Sequence, residues 1–340
     1  MDFDLSDDQL ALRDGARELL DGLAAPAQVR AHADAGNPYD ALLWTAMAEQ
    51  GWLGIEAAPD RGGVGLGTVE VAVLGEELGR HAAPAPFVPA VLAIDAFSQS
   101  DTSAAADWVE RLIAGDALAC VAWDPAAPVP YAPSADVAVV LADDGVYAME
   151  ITEHPARQPA MDLTRELGWL DFDPERAIRL GGAEARERLL DRGATFTAAD
   201  LLGSASRALD LAVEHAKDRV QFGRPIGSFQ AVKHRCADML VDVEGMRSTV
   251  YWAAWCIGAG DAEAHVAAST AKTWCSDASK RVMSSALQVH GGIGFTWEHD
   301  LHFFMKRAQL DQLTFGDAAF HRARLTTLLR PRVEAGESVV

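Results

Sequence analysis

The segment Gln288-Val-His-Gly-Gly-Ile-Gly-Phe295 separates two stretches of helical periodicity near the C-terminal end of a 340-residue chain. Its glycines remove side chains from the backbone and permit positive φ angles. Such glycines either end a helix in the ordinary way or leave the backbone bare for a bound molecule. The segment alone leaves both interpretations open, so the surrounding sequence has to decide between them.

The C-terminal half of the chain has the pattern of a helical bundle. Helical periodicity returns at Ala199 and continues through five apolar stretches, the third of which ends at the glycines of the opening segment. The connectors between these stretches are short, and long antiparallel helices with short connectors are typical of a bundle. We therefore predict a four- or five-helix bundle over residues 191–340.

The remainder of the chain divides into a helical part and a β part. Residues 1–115 show helical periodicity, with a capping-box sequence at Ser6-Asp-Asp-Gln9 and a proline-rich connector at 83–90. Residues 116–190 contain short apolar runs rich in β-branched residues, two of which flank the hairpin turn signal Asp143-Asp144-Gly145. The predicted fold class is mainly α with a small β domain.

Composition excludes several classes of function. The chain has 29 basic and 50 acidic residues, a formal charge of −21, which disfavours nucleic acid and anionic membrane surfaces as partners. Its acidic N-terminus does not resemble a signal peptide, and no apolar run is long enough to span a bilayer. The four cysteines form no C-x-x-C pair, so we predict no metal site and a reduced, cytoplasmic protein.

Two motifs identify the fold more sharply. The first is Arg219-Val-Gln-Phe-Gly-Arg-Pro-Ile-Gly-Ser-Phe-Gln230, and the second is the opening segment. Together they resemble the paired bundle motifs of the acyl-CoA dehydrogenase family, and the stretch "EQGWLGIEAAPDRGGVG" (49–65) is similar to that family as well. The resemblance covers essentially the whole chain. It implies an N-terminal helical domain, a middle β domain and a C-terminal bundle.

The resemblance implies FAD as the cofactor and an acyl-CoA thioester as the substrate. A guanidinium is a planar fork of donors suited to the FAD diphosphate, glutamine can both donate and accept hydrogen bonds, and glycine admits a nucleotide close to the backbone. In the family these groups reach an FAD that the neighbouring subunit mainly holds. The residues implied to bind cofactor are Arg219, Phe222, Gln230, Gln288, Gly291 and Gly292.

The catalytic carboxylate of the family is missing from its usual place. Many members remove the α-proton of the substrate with the Glu of an "I-Y-E-G-T" sequence, and Phe315 occupies that position here. Asp317 lies two residues further on, where we predict the N-cap of the next helix. Asp200, in the region where other members place the Glu, is also predicted to be a helix cap. No catalytic residue is therefore assigned to this chain.

The β segment also departs from the family pattern. After "CVAWDP" (120–125) the two segments that surround the flavin ring in the family are shortened or lost. The chain therefore resembles the shortened subunits of bacterial heterotetrameric acyl-CoA dehydrogenases, some of which act on steroid side chains, with a full-length partner subunit supplying the Glu. Two alternatives stay open: a self-sufficient dehydrogenase with Asp317 or Asp200 as a relocated base, and a non-enzymatic scaffold of the same fold.

Overall fold

A computed structural model describes residues 4–100 and 103–338 of the chain. The N-terminal part is all-helical, as predicted, and its first helix begins with the predicted capping box at Ser6. Its helices are α1 (Asp7–Leu23), α2 (Pro26–Ala35), α3 (Ala41–Glu49), α4 (Thr68–Arg80), α5 (Phe87–Ser98) and α6 (Ser103–Ala114).

Helix α5 begins in the middle of the segment that the sequence analysis treated as a connector, so that prediction was wrong for its second half. Pro86 is its N-cap residue and Pro89 lies in its first turn, where backbone N–H groups have no intrahelical partner to lose. The apolar side chains of the helix, among them Phe87 and Leu92, are buried in the core. Their burial stabilises the helix despite the prolines.

The middle segment contains a four-stranded sheet in the order β1-β3-β4-β7, with β1 and β3 parallel and the other pairs antiparallel. Strands β3 and β4 form the predicted hairpin, in which Ala142 pairs with Gly145 across the turn at Asp143 and Asp144. A smaller sheet has the order β2-β6-β5. The strands are β1 (Ala119–Ala122), β2 (Val129–Pro130), β3 (Val137–Ala142), β4 (Gly145–Glu150), β5 (Arg157–Gln158), β6 (Leu167–Gly168) and β7 (Ile178–Gly181).

Five helices form the C-terminal bundle, which confirms the predicted number. They are α7 (Ala183–Asp218), α8 (Gln230–Ala259), α9 (Ala264–His290), α10 (Leu301–Leu313) and α11 (Ala318–Glu334). A two-residue strand pair, β8 (Val220–Gln221) and β9 (Arg224–Pro225), connects α7 to α8. No helix in the described ranges is long and apolar enough to cross a membrane.

Helix α7 begins at Ala183, sixteen residues before the helical pattern predicted at Ala199 and upstream of the domain boundary placed at 191. The intervening stretch contains Gly193, Thr195 and Thr197, whose low helix propensity hides the pattern in the sequence. In the fold the part from Leu189 onward is fully buried, so tertiary packing overrides local propensity there. Helix α7 thus reaches from the β segment to the far corner of the bundle.

Candidate functional site

The two sequence motifs meet at one corner of the bundle. Helix α7 ends one residue before Arg219, whose backbone N–H donates to the carbonyl of His215 at 2.9 Å. Helix α9 ends at His290, immediately before Gly291. The rings of His215 and His290 stack with centroids 4.7 Å apart. The C-terminal ends of α7 and α9 therefore lie side by side, and we call this region the open corner.

A tight hairpin presents Phe222 at the open corner. Gln221 pairs with Arg224, and the two residues between them, Phe222 and Gly223, have φ angles of 53° and 77°. A type I′ turn requires positive φ at both central positions, but phenylalanine rarely adopts this conformation. Phe222 is 91% exposed, and its ring makes an edge-to-face contact with Phe229 with ring centroids 6.1 Å apart. Backbone strain of this kind clusters at functional sites.

The glycines of the opening segment separate into two kinds. Gly291 has φ 64° and ψ −141°, a conformation open essentially only to glycine, and it caps α9. Gly292 has no positive φ, and a Cβ atom built on it would meet nothing within 4 Å. The fold of this chain therefore explains Gly291 but gives no reason for Gly292. Beside them Ile293 and Phe295 are exposed.

The polar residues predicted to bind cofactor are exposed around this corner. Arg219 follows α7, Gln288 lies in the last turn of α9, and Gln230 begins α8 after the hairpin. Within the described residues the Arg219 guanidinium makes no hydrogen bond or ion pair. An unpaired guanidinium beside bare glycine backbone suits a diphosphate, so these residues fit the FAD expected from the sequence.

Phe315 lies in a contrasting region, in the turn between α10 and α11. It is 3% exposed and has a φ angle of 57°. Its ring packs directly on Gly193 of α7, where an added Cβ would lie 2.3 Å from ring carbons. The residue that the sequence analysis predicted to stand in place of the family's catalytic Glu is thus an aromatic ring packed into the core.

Two buried side chains hold this turn in place. The Lys272 ammonium donates to the carbonyls of Gly316 at 2.7 Å and Gln312 at 3.1 Å, and His321 Nε2 donates to the carbonyl of Phe315 at 2.8 Å. Burial lowers the pKa of Lys272 to about 7 and that of His321 to about 4. Asp317 is the N-cap of α11 and accepts from the Phe320 N–H at 2.8 Å, which confirms its predicted structural role.

Asp200 belongs to a buried ion cluster, and its predicted role as a helix cap was wrong. It lies in the interior of α7, where its Oδ2 accepts from Arg165 at 2.6 Å. Arg165 also contacts Asp311 of α10. Arg307 donates to the backbone carbonyl of Ala83 and to the Thr164 hydroxyl, and lies near Asp162 and Asp200. The cluster ties the β segment, α7 and α10 together.

The cluster contains more acid than base. Its three carboxylates, Asp162, Asp200 and Asp311, face the two guanidinium groups of Arg165 and Arg307. Burial raises the pKa of Asp311 to about 7, although Arg165 opposes this shift, and Asp200, which shares Arg165, adds to it. A proton on Asp311 therefore balances the charge of the cluster near neutral pH.

The cavity beside the cluster is small. It is lined by side chains from α4, α5, the β segment, α7 and the α10–α11 turn, including Tyr131, Asp200, Asp311 and Phe315, and its free volume is about 40 Å³. A water molecule needs roughly 10–15 Å³ of such volume, so the cavity holds about three waters. A flavin ring or an acyl chain does not fit this space. We call the cluster, the cavity and Phe315 together the closed region.

Sequence analysis missed most of the closed region and part of the open corner. The neighbouring sequence gives no indication of the roles of Arg165, Arg307 and Lys272, because their partners are far away in sequence. His215 could have been found, since it precedes Arg219 by four residues and so lies on the same helix face. Among the described residues no group of His, Cys, Asp and Glu could hold a metal ion.

Comparison with known proteins gives consistent matches along the chain. The family model for the acyl-CoA dehydrogenase N-terminal domain matches residues 6–116, and the model for the acyl-CoA dehydrogenase C-terminal domain matches residues 181–328. The acyl-CoA dehydrogenase IpdE2 of Mycolicibacterium smegmatis is 35% identical over 308 residues, covering 89% of this chain and 93% of the relative. IpdE2 of Mycobacterium tuberculosis is 35% identical over 303 residues, covering 87% and 89%.

Two solved structures are similar over nearly their whole length. A chain of the steroid acyl-CoA dehydrogenase Tcur3481–Tcur3483 superimposes with a TM-score of 0.87 at 28% identity, covering 96% of this chain and 99% of that one. A chain of the ChsE4–ChsE5 complex from Mycobacterium tuberculosis gives a TM-score of 0.86 at 26% identity and covers both chains completely. Both similar structures contain two named components.

Proposed function

The chain belongs to the acyl-CoA dehydrogenase family, whose cofactor is FAD, and we propose that it is a half-site subunit of a hetero-oligomeric dehydrogenase. In this role it contributes the open corner to an FAD held mainly by a full-length partner subunit, and it has no working active site of its own. The observation that carries the proposal is Phe315, an unreactive ring packed on Gly193 at the position of the catalytic base.

Each part of the open corner has a role in this proposal. When bound at this corner, FAD would supply the acceptor for the hydride that leaves the β carbon of an acyl-CoA substrate. Arg219 provides a fixed positive charge for the diphosphate, while Gly291 and Gly292 let the nucleotide approach the backbone. Gln288 and Gln230 offer hydrogen bonds, and the exposed Phe222 ring offers an apolar face to the cofactor and the partner.

We place the proton abstraction on the partner subunit. A general base needs a carboxylate within hydrogen-bond reach of the substrate α-carbon proton. Phe315 has no such group, Asp317 is exposed and caps α11, and Asp200 is ion-paired inside a cavity too small for substrate. The steroid dehydrogenase among the similar structures supports a CoA thioester with a bulky, steroid-type acyl group as the substrate class.

One observation favours a second candidate function. Asp200 lines the small cavity, and its Oδ1 has no hydrogen-bond partner among the described residues. A rearrangement that opened the cavity would turn Asp200 into a relocated base, and the chain would then be a self-sufficient dehydrogenase. A scaffold without activity is the remaining alternative.

Turnover separates these candidates. The chain should be inactive alone and active with the full-length dehydrogenase chain encoded beside it. In that complex Asp200→Asn and Asp317→Asn should keep turnover within about tenfold, whereas loss of a general base costs roughly 10²–10⁴-fold. A loss of that size in Asp200→Asn, with folding and FAD content intact, favours the self-sufficient enzyme. A partner equally active without this chain favours the scaffold.

A further inference from the structure

Three histidines make consecutive ring contacts beneath the open corner, the first pair stacked and the second edge-to-face, and we call them the histidine stack. His215 of α7 and His290 of α9 have ring centroids 4.7 Å apart, and His290 and His299 have centroids 4.4 Å apart. His290 is 5% exposed, while the other two rings are partly exposed. This histidine stack joins the residues that precede Arg219 to those that flank Gly291. It is not a metal site, and the sequence analysis assigned it no role.

The hydrogen bonds of the stack leave it free to take up a proton. His290 Nδ1 donates to the carbonyl of Ala286 at 2.8 Å, and its buried Nε2 has no partner among the described residues. His299 Nδ1 accepts from the Leu301 N–H at 3.1 Å. Within the described part of the chain no carboxylate forms an ion pair with any of these three rings. His290 Nε2 is therefore unpartnered within the described ranges, whereas a proton on His299 Nδ1 would displace the N–H of Leu301.

Burial and neighbouring positive charges lower the pKa of the two histidines at the ends of the stack. Burial, then His290 and Arg219, lowers the pKa of His215, against a smaller opposing effect of Asp218. Burial and His290 likewise lower the pKa of His299, with Asp300 opposing and Arg30 adding to the shift. Arg30 itself is held by Asp300 and by the carbonyl of Trp297. Among the described residues, Asp218 and Asp300 influence the stack only from a distance, and neither forms an ion pair with one of its rings.

We propose that the histidine stack supplies this corner with a second positive charge by taking up a proton when the FAD diphosphate binds. The inference rests on the proposed function. A diphosphate diester carries two negative charges at neutral pH, and Arg219 neutralises only one. An anion beside the stack favours its protonated form and makes cofactor binding tighter as the pH falls. His215 and His299, at the partly exposed ends, are the positions where the proton is most easily shared with solvent.

Calorimetry tests the proposal without relying on activity. FAD is titrated into the complex of this chain and its partner, after the cofactor has been removed, at pH 6.5 in two buffers of different ionisation enthalpy. The difference in heat gives the number of protons taken up per FAD. We expect about half a proton or more, and a three- to tenfold tighter Kd at pH 6.0 than at pH 7.5, as proton linkage requires.

Variants assign the proton to the stack. His215→Gln combined with His299→Gln should abolish most of the uptake and flatten the pH dependence of Kd, and His290→Gln should do the same if it folds. His154→Gln, in the exposed part of the β segment, is the matched control and should behave like the wild type.

Two results would overturn the proposal: uptake below about a tenth of a proton, or uptake unchanged in the double variant. Failure of the half-site function itself gives a different result, in which the stripped complex binds no FAD or binds it independently of Arg219.

Discussion

The closed region and the open corner are built from similar residues used in opposite ways. Each contains an aromatic residue in a left-handed backbone conformation, Phe315 with φ 57° and Phe222 with φ 53°. The first is 3% exposed and packs on Gly193, whereas the second is 91% exposed. A Cβ on Gly193 would collide with that ring, but one on Gly292 would meet nothing within 4 Å. The aromatic ring of the closed region is thus packed within the chain, whereas that of the open corner is left exposed.

The arginines of the two regions repeat this difference. Arg165 is nearly buried and contacts two carboxylates, Asp200 and Asp311. Arg219 is exposed, with no partner for its guanidinium in the described ranges. A buried arginine with acidic partners contributes to folding, while an exposed, unpaired one beside bare backbone is available for an anion. The contrast supports the proposal that this chain contributes the open corner to an active site shared with a partner.

The largest expected effect comes from breaking the closed region. Arg165→Met leaves two buried carboxylates without their guanidinium and should lower the free energy of unfolding by about 3–5 kcal/mol. Arg219→Met is the matched variant in the open corner and should change it by no more than about 0.5 kcal/mol. Urea denaturation of the two variants measures both values. Similar losses in both would remove the distinction between the regions.

Substitutions in the open corner, which should hardly change stability, are expected to weaken FAD binding. A charge-assisted hydrogen bond contributes roughly 1.5–3 kcal/mol, so Arg219→Ala should weaken FAD binding in the complex about ten- to a hundredfold. Gly292→Val should cause comparable loss by filling the space of the nucleotide, with little effect on folding because that side of Gly292 faces no atom of this chain. FAD per complex after gel filtration, beside circular dichroism of each variant, provides the measurement. If the complex with Arg219→Ala kept its full FAD content, the open corner would have only a structural role.

A smaller effect is expected on the pH dependence of the free energy of unfolding. The folded-state pKa of Asp311, about 7, lies above its unfolded value, so the folded chain binds an extra proton between these two pKa values. Its stabilising contribution is therefore complete at low pH and is lost as the pH rises through about 7. The free energy of unfolding is measured for wild type and Asp311→Asn at pH 6 and at pH 8. The value for wild type minus that for the variant should be about 1 kcal/mol larger at pH 6 than at pH 8.

Comparing variants is necessary here because buried Lys272, with its lowered pKa, shifts stability in the opposite direction over the same range. Asp317→Asn is the control, since an exposed N-cap residue keeps its hydrogen bond as Asn. An equal pH dependence in both variants would mean that the proton is held elsewhere.

Local patterns in the sequence predicted those features that depend on local physics. The hairpin at Asp143 and Asp144, the five bundle helices and the cap at Asp317 each follow from neighbouring residues. Asp200 shows the limit of this approach. An aspartate can stand at a helix cap or inside a helix, and the sequence near Asp200 does not distinguish the two. Its interior position depends on the ion pair with Arg165, which is distant in sequence.

The candidate site divides in the same way. The motifs predicted the residues at the ends of α7 and α9, and Phe315 was predicted to replace the base. The small size of the cavity was not predictable. It depends on contacts among residues of separate elements, including Gly193, Arg165 and Asp311. The histidine stack was missed for the same reason, since its three members lie on α7, α9 and the segment before α10.

Flavin stoichiometry tests the central claim most directly. The chain is purified alone and in complex with its full-length partner, and FAD per polypeptide is determined from visible absorbance and protein concentration. The half-site account predicts no stoichiometric FAD in the chain alone and half as many FAD molecules as chains in the complex. One FAD per chain in the protein purified alone would contradict it, because a flavin would then occupy the region that Phe315 and the ion cluster fill here.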